Sequence, residues 1–257
     1  MMTTDQKQAL CDLIKRIGKQ AQALRNQGLN IQTKGRQDFV SQADLFVEQQ
    51  LCAWLGKTFP EDGFLGEEGG LQPGKERVWV IDPIDGTTNF ILGMDYWCIS
   101  VACVQNNTLQ LGIIYAPDRD EFFYAGNGEG AFLNQRPLHI HEPDPAQVVI
   151  GLGRSSRTPL PHYLHTIEQL ISHDVEYRRF GAGALMLAHV AAGQIHGYYE
   201  AHLNSWDALA GLLLIQEAGG AHNAFLDNDG LYHGNTMWAA APGVWRRLSP
   251  LLLAGGH

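Results

Sequence analysis

A chain of 257 residues, 45% hydrophobic and 18% charged, can bury a large core and suits one big α/β unit or two closely joined lobes. Its formal charge of -9 argues against broad contact with nucleic acid or an anionic membrane, because such surfaces reward clustered Lys and Arg, and no apolar stretch reaches the roughly 18 residues of a membrane span. Four scattered cysteines (Cys11, Cys52, Cys98, Cys103) form no C-x-x-C pair and read as buried free thiols; with an N-terminus that lacks a cleavable apolar region, the expected location is the cytoplasm.

Ala9, Leu10, Leu13, Ile14, Ile17, Ala21 and Leu24 recur at helical spacing and predict a first helix over Gln8–Leu24, with a turn at Gly28–Asn30. Ser41-x-x-Asp44, a capping-box variant, opens a second helix that carries Leu45, Phe46, Val47, Leu51 and Trp54 and ends before Pro60, which puts Asp44 in its first turn. Strand signals follow at Val78–Ile81, Cys98–Val104, Leu109–Tyr115, Glu121–Tyr124 and Ala131–Leu133, separated by "QNNT", "APDRD" and "GNGEG", the pattern of an antiparallel meander. After "HEPDPAQ" the pattern alternates: strand Val148–Gly151, helix Tyr163–Ser172, strand Val175–Phe180, helix Gly183–Ala192, strand Ile195–Tyr199, helix Trp206–Ala218. A junction near Glu142–Gln147 would divide a single unit of 1–257 into lobes of about 1–142 and 143–257.

Three segments bring carboxylates to the ends of apolar elements: "GFLGEEGG" (Gly63–Gly70), "IDPIDGTT" (Ile81–Thr88) and "NSWDALAG" (Asn204–Gly211). In the second, Pro83 takes the chain out of strand geometry and Gly86 allows a turn, so Asp82 and Asp85 can face one point while the Ile84 carbonyl leaves the ladder. Carboxylates plus a carbonyl are what a hard cation such as Mg2+ selects. Either aspartate alone would be read as a helix cap; two of them three residues apart behind a buried strand, with two more acidic segments elsewhere, favour a metal site.

On these residues the chain resembles the inositol monophosphatase family. The family pattern of G-E-E, then W-x-[IV]-D-P-[IL]-D-G-T-x-N-F, then W-D-x-A-[AG] with E-A-G-G is met at Gly66–Glu68, Trp79–Phe90 and Trp206–Gly220, in order and spacing over nearly the whole chain. The resemblance implies an α/β (α+β) fold of the sugar-phosphatase type, a layered α-β-α-β-α sandwich. It also implies a phosphate monoester hydrolase with two or three Mg2+ per site, inhibited by Li+ and assembled as a homodimer. By similarity Glu67, Asp82 and the backbone oxygen of Ile84 would hold one cation, and Asp82, Asp85 and Asp207 a second, with Asp82 bridging. Thr87 would share with Glu67 the orienting and deprotonation of the attacking water, and Asp44, closing the family's D-[FL]-V-[TS]-x-A-D stretch at Asp38–Asp44, would hydrogen-bond Thr87. Two cations about 3.5–4 Å apart can activate a water, neutralise a phosphate dianion and meet the leaving oxygen, with no covalent intermediate.

Substrate contacts implied by the resemblance are Asp85, Gly86, Thr87, Gly181, Ala182, Gly183, Glu200 and Asp207, with the amides of Gly86 and Thr87 receiving phosphate oxygens. The substrate is expected to be a small phosphate ester, foremost myo-inositol 1-phosphate; histidinol phosphate, fructose 1,6-bisphosphate and 3′-phosphoadenosine 5′-phosphate are handled by relatives. "GAGA" at Gly181–Ala184, where the family writes G-[ST]-A-A, lacks a hydroxyl at Ala182 and gains freedom at Gly183, which leaves the alcohol unassigned. A non-catalytic role as a binding protein for RNA polymerase is the alternative in another class. "GNGEGA" reads as a hairpin rather than a nucleotide loop, the eleven histidines show no H-x-x-x-H pair, and "GRSSR" (Gly153–Arg157) reads as a polar loop after a strand.

Overall fold

Thr3 and Gln6 form a reciprocal capping box, the Gln6 amide donating to Thr3 Oγ1 at 3.2 Å and the Thr3 amide to Gln6 Oε1 at 2.9 Å. The first helix, α1 (Thr4–Gln27), therefore begins four residues before the start expected from periodicity, and it buries Leu10, Leu13, Ile14, Ile17 and Ala21. The structure, a computed structural model, describes residues 2–29, 31–35 and 38–253, with the side chains of 31–40 left aside. Asn30 of the expected turn, the side chain of Asp38, and Met1 and 254–257 of the expected span lie outside the described residues.

A short hairpin, β1 (Ile31–Gly35) and β2 (Asp38–Ser41), leads into α2 (Gln42–Thr58), which begins at the Ser41 cap as its sequence requires. Then come β3 (Gly63–Gly66), β4 (Gly70–Gln72), β5 (Val78–Asp85), the one-turn α3 (Thr87–Ile91), β6 (Cys98–Gln105), β7 (Thr108–Ala116), β8 (Glu121–Gly126), β9 (Gly130–Leu133) and β10 (Arg136–Pro137). They form an eight-stranded sheet in the order β10-β9-β8-β7-β6-β5-β3-β4. The meander is β6 to β9, and "GNGEG" is its last hairpin, pairing Gly126 with Gly130. β3 and β5 run parallel.

The second part contains β11 (Val149–Leu152), α4 (Leu160–Ser172), β12 (Glu176–Arg178), α5 (Gly183–Ala191), β13 (Gly197–Leu203), α6 (Ser205–Glu217), β14 (Ala221–His222), α7 (Gly230–His233), β15 (Asn235–Ala240) and α8 (Pro242–Leu252). Its sheet is ordered β12-β11-β13-β15-β14, with β11 parallel to both β12 and β13 and β15 antiparallel to its neighbours. Neither β15 nor α8 is among the elements expected from sequence; β15 shows no alternation, whereas Val244, Leu248 and Leu252 of α8 do recur at helical spacing.

Three apolar clusters define the layers. One joins α1 and α2 to the eight-stranded sheet through Leu10, Ile14, Val47, Trp79 and Ile81. A second fills the space between the sheets, where α5 and α6 lie against both, through Val80, Ile114, Leu187, Leu209 and Met237. The third covers the outer face of the five-stranded sheet with α4 and α8 through Ile150, Leu170, Trp238 and Leu248. The result is the expected α-β-α-β-α stacking.

Candidate active site

β5 positions the first two carboxylates. The sequence suggests that the strand ends at Ile81; instead, pairing with β6 continues past Pro83 to Asp85 opposite Cys98, with an irregular register between Asp82 and Asp85. Pro83 has no amide to offer a ladder, and the irregularity accommodates that without ending the strand. The Ile84 amide donates to Asp82 Oδ1 at 2.9 Å, which fixes Asp82 at the bulge. Both aspartates are buried, and Asp207, in the first turn of α6, brings a third carboxylate so that one oxygen of each lies within 4.8 Å of the others.

Three carboxylates this close repel one another. Burial, and then the neighbouring charges of Glu67, Asp207 and Asp85, push Asp82 well above the ordinary range; burial together with Asp85 and Glu67 does the same to Asp207. Asp85 is pushed up only to about 6, because burial is opposed by the amides of Leu185 and Gly183 and the thiol of Cys98. Those amides, at 3.2 and 3.0 Å, belong to the first turn of α5, so the Asp85 carboxylate sits at a helix N-terminus. A divalent cation would relieve the repulsion, and the all-oxygen donor set fits a hard one.

Glu67 reaches the cluster because its amide extends the β3–β5 pairing to the Ile81 carbonyl at 3.1 Å, setting it beside Asp82. The Thr87 hydroxyl lies 3.0 Å from the Ile84 carbonyl and 3.4 Å from Asp44 Oδ1. Its single proton is held by these acceptors, so its lone pairs are left to accept from a water. Asp44 Oδ2 in turn accepts from the Ser41 amide at 2.8 Å and the Ser41 hydroxyl at 2.6 Å. Burial raises Asp44 while Ser41 opposes the shift. The cap read from sequence as a helix start is therefore also the link from α2 to Thr87.

Glu48 was missed. It lies one turn after Asp44 on α2, is buried, and accepts from the Glu68 amide at 3.0 Å, beneath the "GEEGG" turn. A Cβ on Gly66 would sit 2.5 Å from its Oε2, and one on Gly69 would sit 2.7 Å from its Oε1, so both glycines make room for this carboxylate. The i, i+4 spacing of Asp44 and Glu48 was the available signal.

A cavity of about 180 Å3 opens beside the cluster, lined by Asp85, Asp207, Gly181, Ala182, Gly183 and Glu200 among others. Gly86 takes a left-handed φ of 86°, and a Cβ there would lie 3.0 Å from that of Ala182, so α3 approaches this loop closely. Glu200, buried, accepts from the Tyr198 hydroxyl at 2.5 Å, and burial pushes it up to about 7. Gly153 allows this pair, since a Cβ there would meet Glu200 Oε2 at 1.9 Å. The expected residues thus gather in one place: Asp82, Asp85 and Asp207 as a cluster with the charge of Glu67 bearing on it, Thr87 on Asp44 and Ile84, and Glu200 across the cavity.

Comparison with known proteins accounts for the arrangement. The sequence profile of the inositol monophosphatase family matches residues 4–254. This chain belongs to the inositol monophosphatase family. Among the family's curated members, the inositol-1-monophosphatase of Mesorhizobium japonicum is 38% identical over 222 residues, covering 82% of this chain and 84% of that protein. The Nus factor SuhB of Xylella fastidiosa is 38% identical over 195 residues, 75% of this chain and 71% of the relative. Among solved structures, the extragenic suppressor protein suhB of Bartonella henselae superposes with a TM-score of 0.86 at 32% identity, over 94% of this chain and 95% of the other. An IMPase of Thermotoga maritima does so with a TM-score of 0.86 at 27% identity, over 98% of both. Relatives of equal identity thus carry two different names, inositol-1-monophosphatase and Nus factor. No helix among the described residues is long and apolar enough to cross a membrane.

Proposed function

We propose that the chain is a Mg2+-dependent phosphate monoester hydrolase acting on a small polyol phosphate, foremost myo-inositol 1-phosphate, by direct attack of water. The observation that carries this is the convergence of the Asp82, Asp85 and Asp207 carboxylates within 4.8 Å, beside the Thr87 hydroxyl held by Asp44 and Ile84. Glu67, Asp82, Asp85, Asp207 and the Ile84 carbonyl would hold the Mg2+ ions. When bound, they would supply Lewis-acid stabilisation of the phosphate charge and lower the pKa of a coordinated water.

The chain's own groups do the rest. Thr87, its proton committed to Ile84 and Asp44, accepts a hydrogen bond from the water and orients it; Glu67, alongside, takes the proton. The amides of Gly86 and Thr87 are free of the β5–β6 ladder and face developing phosphate charge. Tyr198 orients the Glu200 carboxylate toward hydroxyls of the alcohol half. Li+ inhibition, a homodimer and a cytoplasmic location belong to the same reading.

The test is phosphate release from myo-inositol 1-phosphate, histidinol phosphate, fructose 1,6-bisphosphate and 3′-phosphoadenosine 5′-phosphate with Mg2+ present. Turnover highest on the inositol ester is expected. No release from any of the four would refute the hydrolase, and preference for another would reassign the alcohol. The relatives that carry the name Nus factor favour a second reading, binding to the transcription machinery. It predicts that the inactive Asp82→Asn protein still complements a deletion of its gene; lost complementation would exclude it.

A further inference from the structure

The cavity beside the acidic cluster has a basic wall that the mechanism does not use. Arg154 and Arg179 line it together with Asp85, Asp207, Tyr198 and Glu200. The topology explains why they meet. β12, β11 and β13 are adjacent and parallel, with Gly151 opposite Arg178 and Leu152 opposite Tyr199. Arg179 and Arg154 therefore leave the sheet at the carboxyl ends of β12 and β11, next to Glu200 within β13, at the edge where open α/β sheets bind ligands.

Among the described residues, neither arginine is paired with a carboxylate. Among the described residues the arginine ion pairs are those of Arg25, Arg77, Arg119 and Arg178. The contrast within the pair is informative: Arg178 binds Glu176 at 2.9 Å, while Arg179, the next residue, lines the cavity. Arg154 lies 5.8 Å from the Tyr163 ring. Both positive charges bear on Tyr163, and that of Arg179 bears also on Glu200. Glu200 is already bonded to Tyr198. A neutral polyol offers a guanidinium little, whereas its planar fork matches a phosphate or carboxylate in two parallel bonds.

We propose that Arg154 and Arg179 recognise a second anionic group on the alcohol half of the substrate, so that of two otherwise matched phosphate monoesters the one carrying a further phosphate or carboxylate is hydrolysed faster. This rests on the hydrolase reading above. A competing role, in which the arginines grip the transferred phosphoryl group itself, would weaken all esters alike.

The experiment measures kcat/KM with Mg2+ on two matched pairs, fructose 1-phosphate against fructose 1,6-bisphosphate and glycerol 3-phosphate against 3-phosphoglycerate, for wild type, Arg154→Gln and Arg179→Gln. Wild type is expected to favour the second member of at least one pair by about tenfold, with both substitutions bringing that ratio toward one. Which pair shows the preference distinguishes phosphate from carboxylate. A wild-type ratio of one or less in both pairs overturns the proposal, as does a ratio that persists while both members fall together. If no ester is hydrolysed, the hydrolase reading fails separately. Calorimetric titration with fructose 1,6-bisphosphate then decides the arginine site: heat in wild type that Arg154→Gln abolishes supports it, and no heat in wild type overturns it.

Discussion

Thr87 is the residue on which local sequence and chemistry depend most directly. Its hydroxyl is fixed by two acceptors that come from different elements, the bulged end of β5 and the first turn of α2. Thr87→Ala removes the hydroxyl and with it the bonds to Ile84 and Asp44, and kcat is expected to fall by about 10²-fold or more with a smaller change in KM. Thr87→Ser keeps the hydroxyl and should recover most of the loss in the same steady-state assay; a serine variant as inactive as the alanine would show that the methyl packing, not the hydroxyl, matters. This residue was legible from the motif "DPIDGTT". Glu48 was not, because one glutamate on an amphipathic helix reads as a solvated charge until the "GEEGG" turn is seen folded over it.

At the scale of elements, most long periodic segments are legible, with α8 the exception, and the short or fully buried strands are not. α1, α2 and the β6–β9 meander announce themselves by apolar spacing and by turns such as Asn106–Asn107, both at positive φ. β15 is "NTMWAA", buried at four of its six positions, so it shows no alternation to detect. The sequence places the end of β5 at Ile81 because Pro83 usually ends a ladder, and the strand continues because the proline is absorbed at the bulge. α6, which delivers Asp207, rests directly on β7: a Cβ on Gly112 would lie 2.6 Å from the Ala210 carbonyl oxygen. Gly112→Ala must push the helix off the sheet and should cost about 1–3 kcal/mol. Thermal unfolding is expected to show a Tm lowered by about 2–4 °C per kcal/mol for a domain of this size, and an unchanged Tm would mean that the contact yields more easily than close packing allows.

Across the whole molecule, α1 is tied to the sheet through Asp118, which accepts from Gln22 at 2.7 Å, from both Arg25 nitrogens at 2.7 and 2.9 Å, and from the Trp97 indole. Burial would raise this carboxyl, but the bonds from Arg25, Trp97 and Gln22 prevail and hold it below the ordinary range. Glu121 is lowered in the same way, against burial, by His189 and Arg119. A carboxyl whose folded pKa is depressed contributes stability that is fully present above the unfolded value of about 4 and is lost as pH falls through the folded value. Asp118→Asn should therefore lower Tm at pH 7, and the gap from wild type should narrow as pH falls toward about 3. A gap that stays constant with pH would show that Asp118 acts by shape rather than charge.

The active cluster has the opposite character, since Asp82, Asp85 and Asp207 are buried against one another and strain the fold unless a cation joins them. The most direct test follows phosphate release from myo-inositol 1-phosphate as Mg2+ is titrated, with Tm recorded on the same samples, for wild type and Asp82→Asn. Wild type is predicted to show saturable Mg2+-dependent turnover and a Tm that rises with Mg2+. Asp82→Asn is predicted to lose turnover by about 10³-fold or more, to match or exceed the metal-free wild type in Tm, and to gain little from Mg2+. Turnover that survives chelation, or an Asp82→Asn protein as active as wild type, would contradict the account.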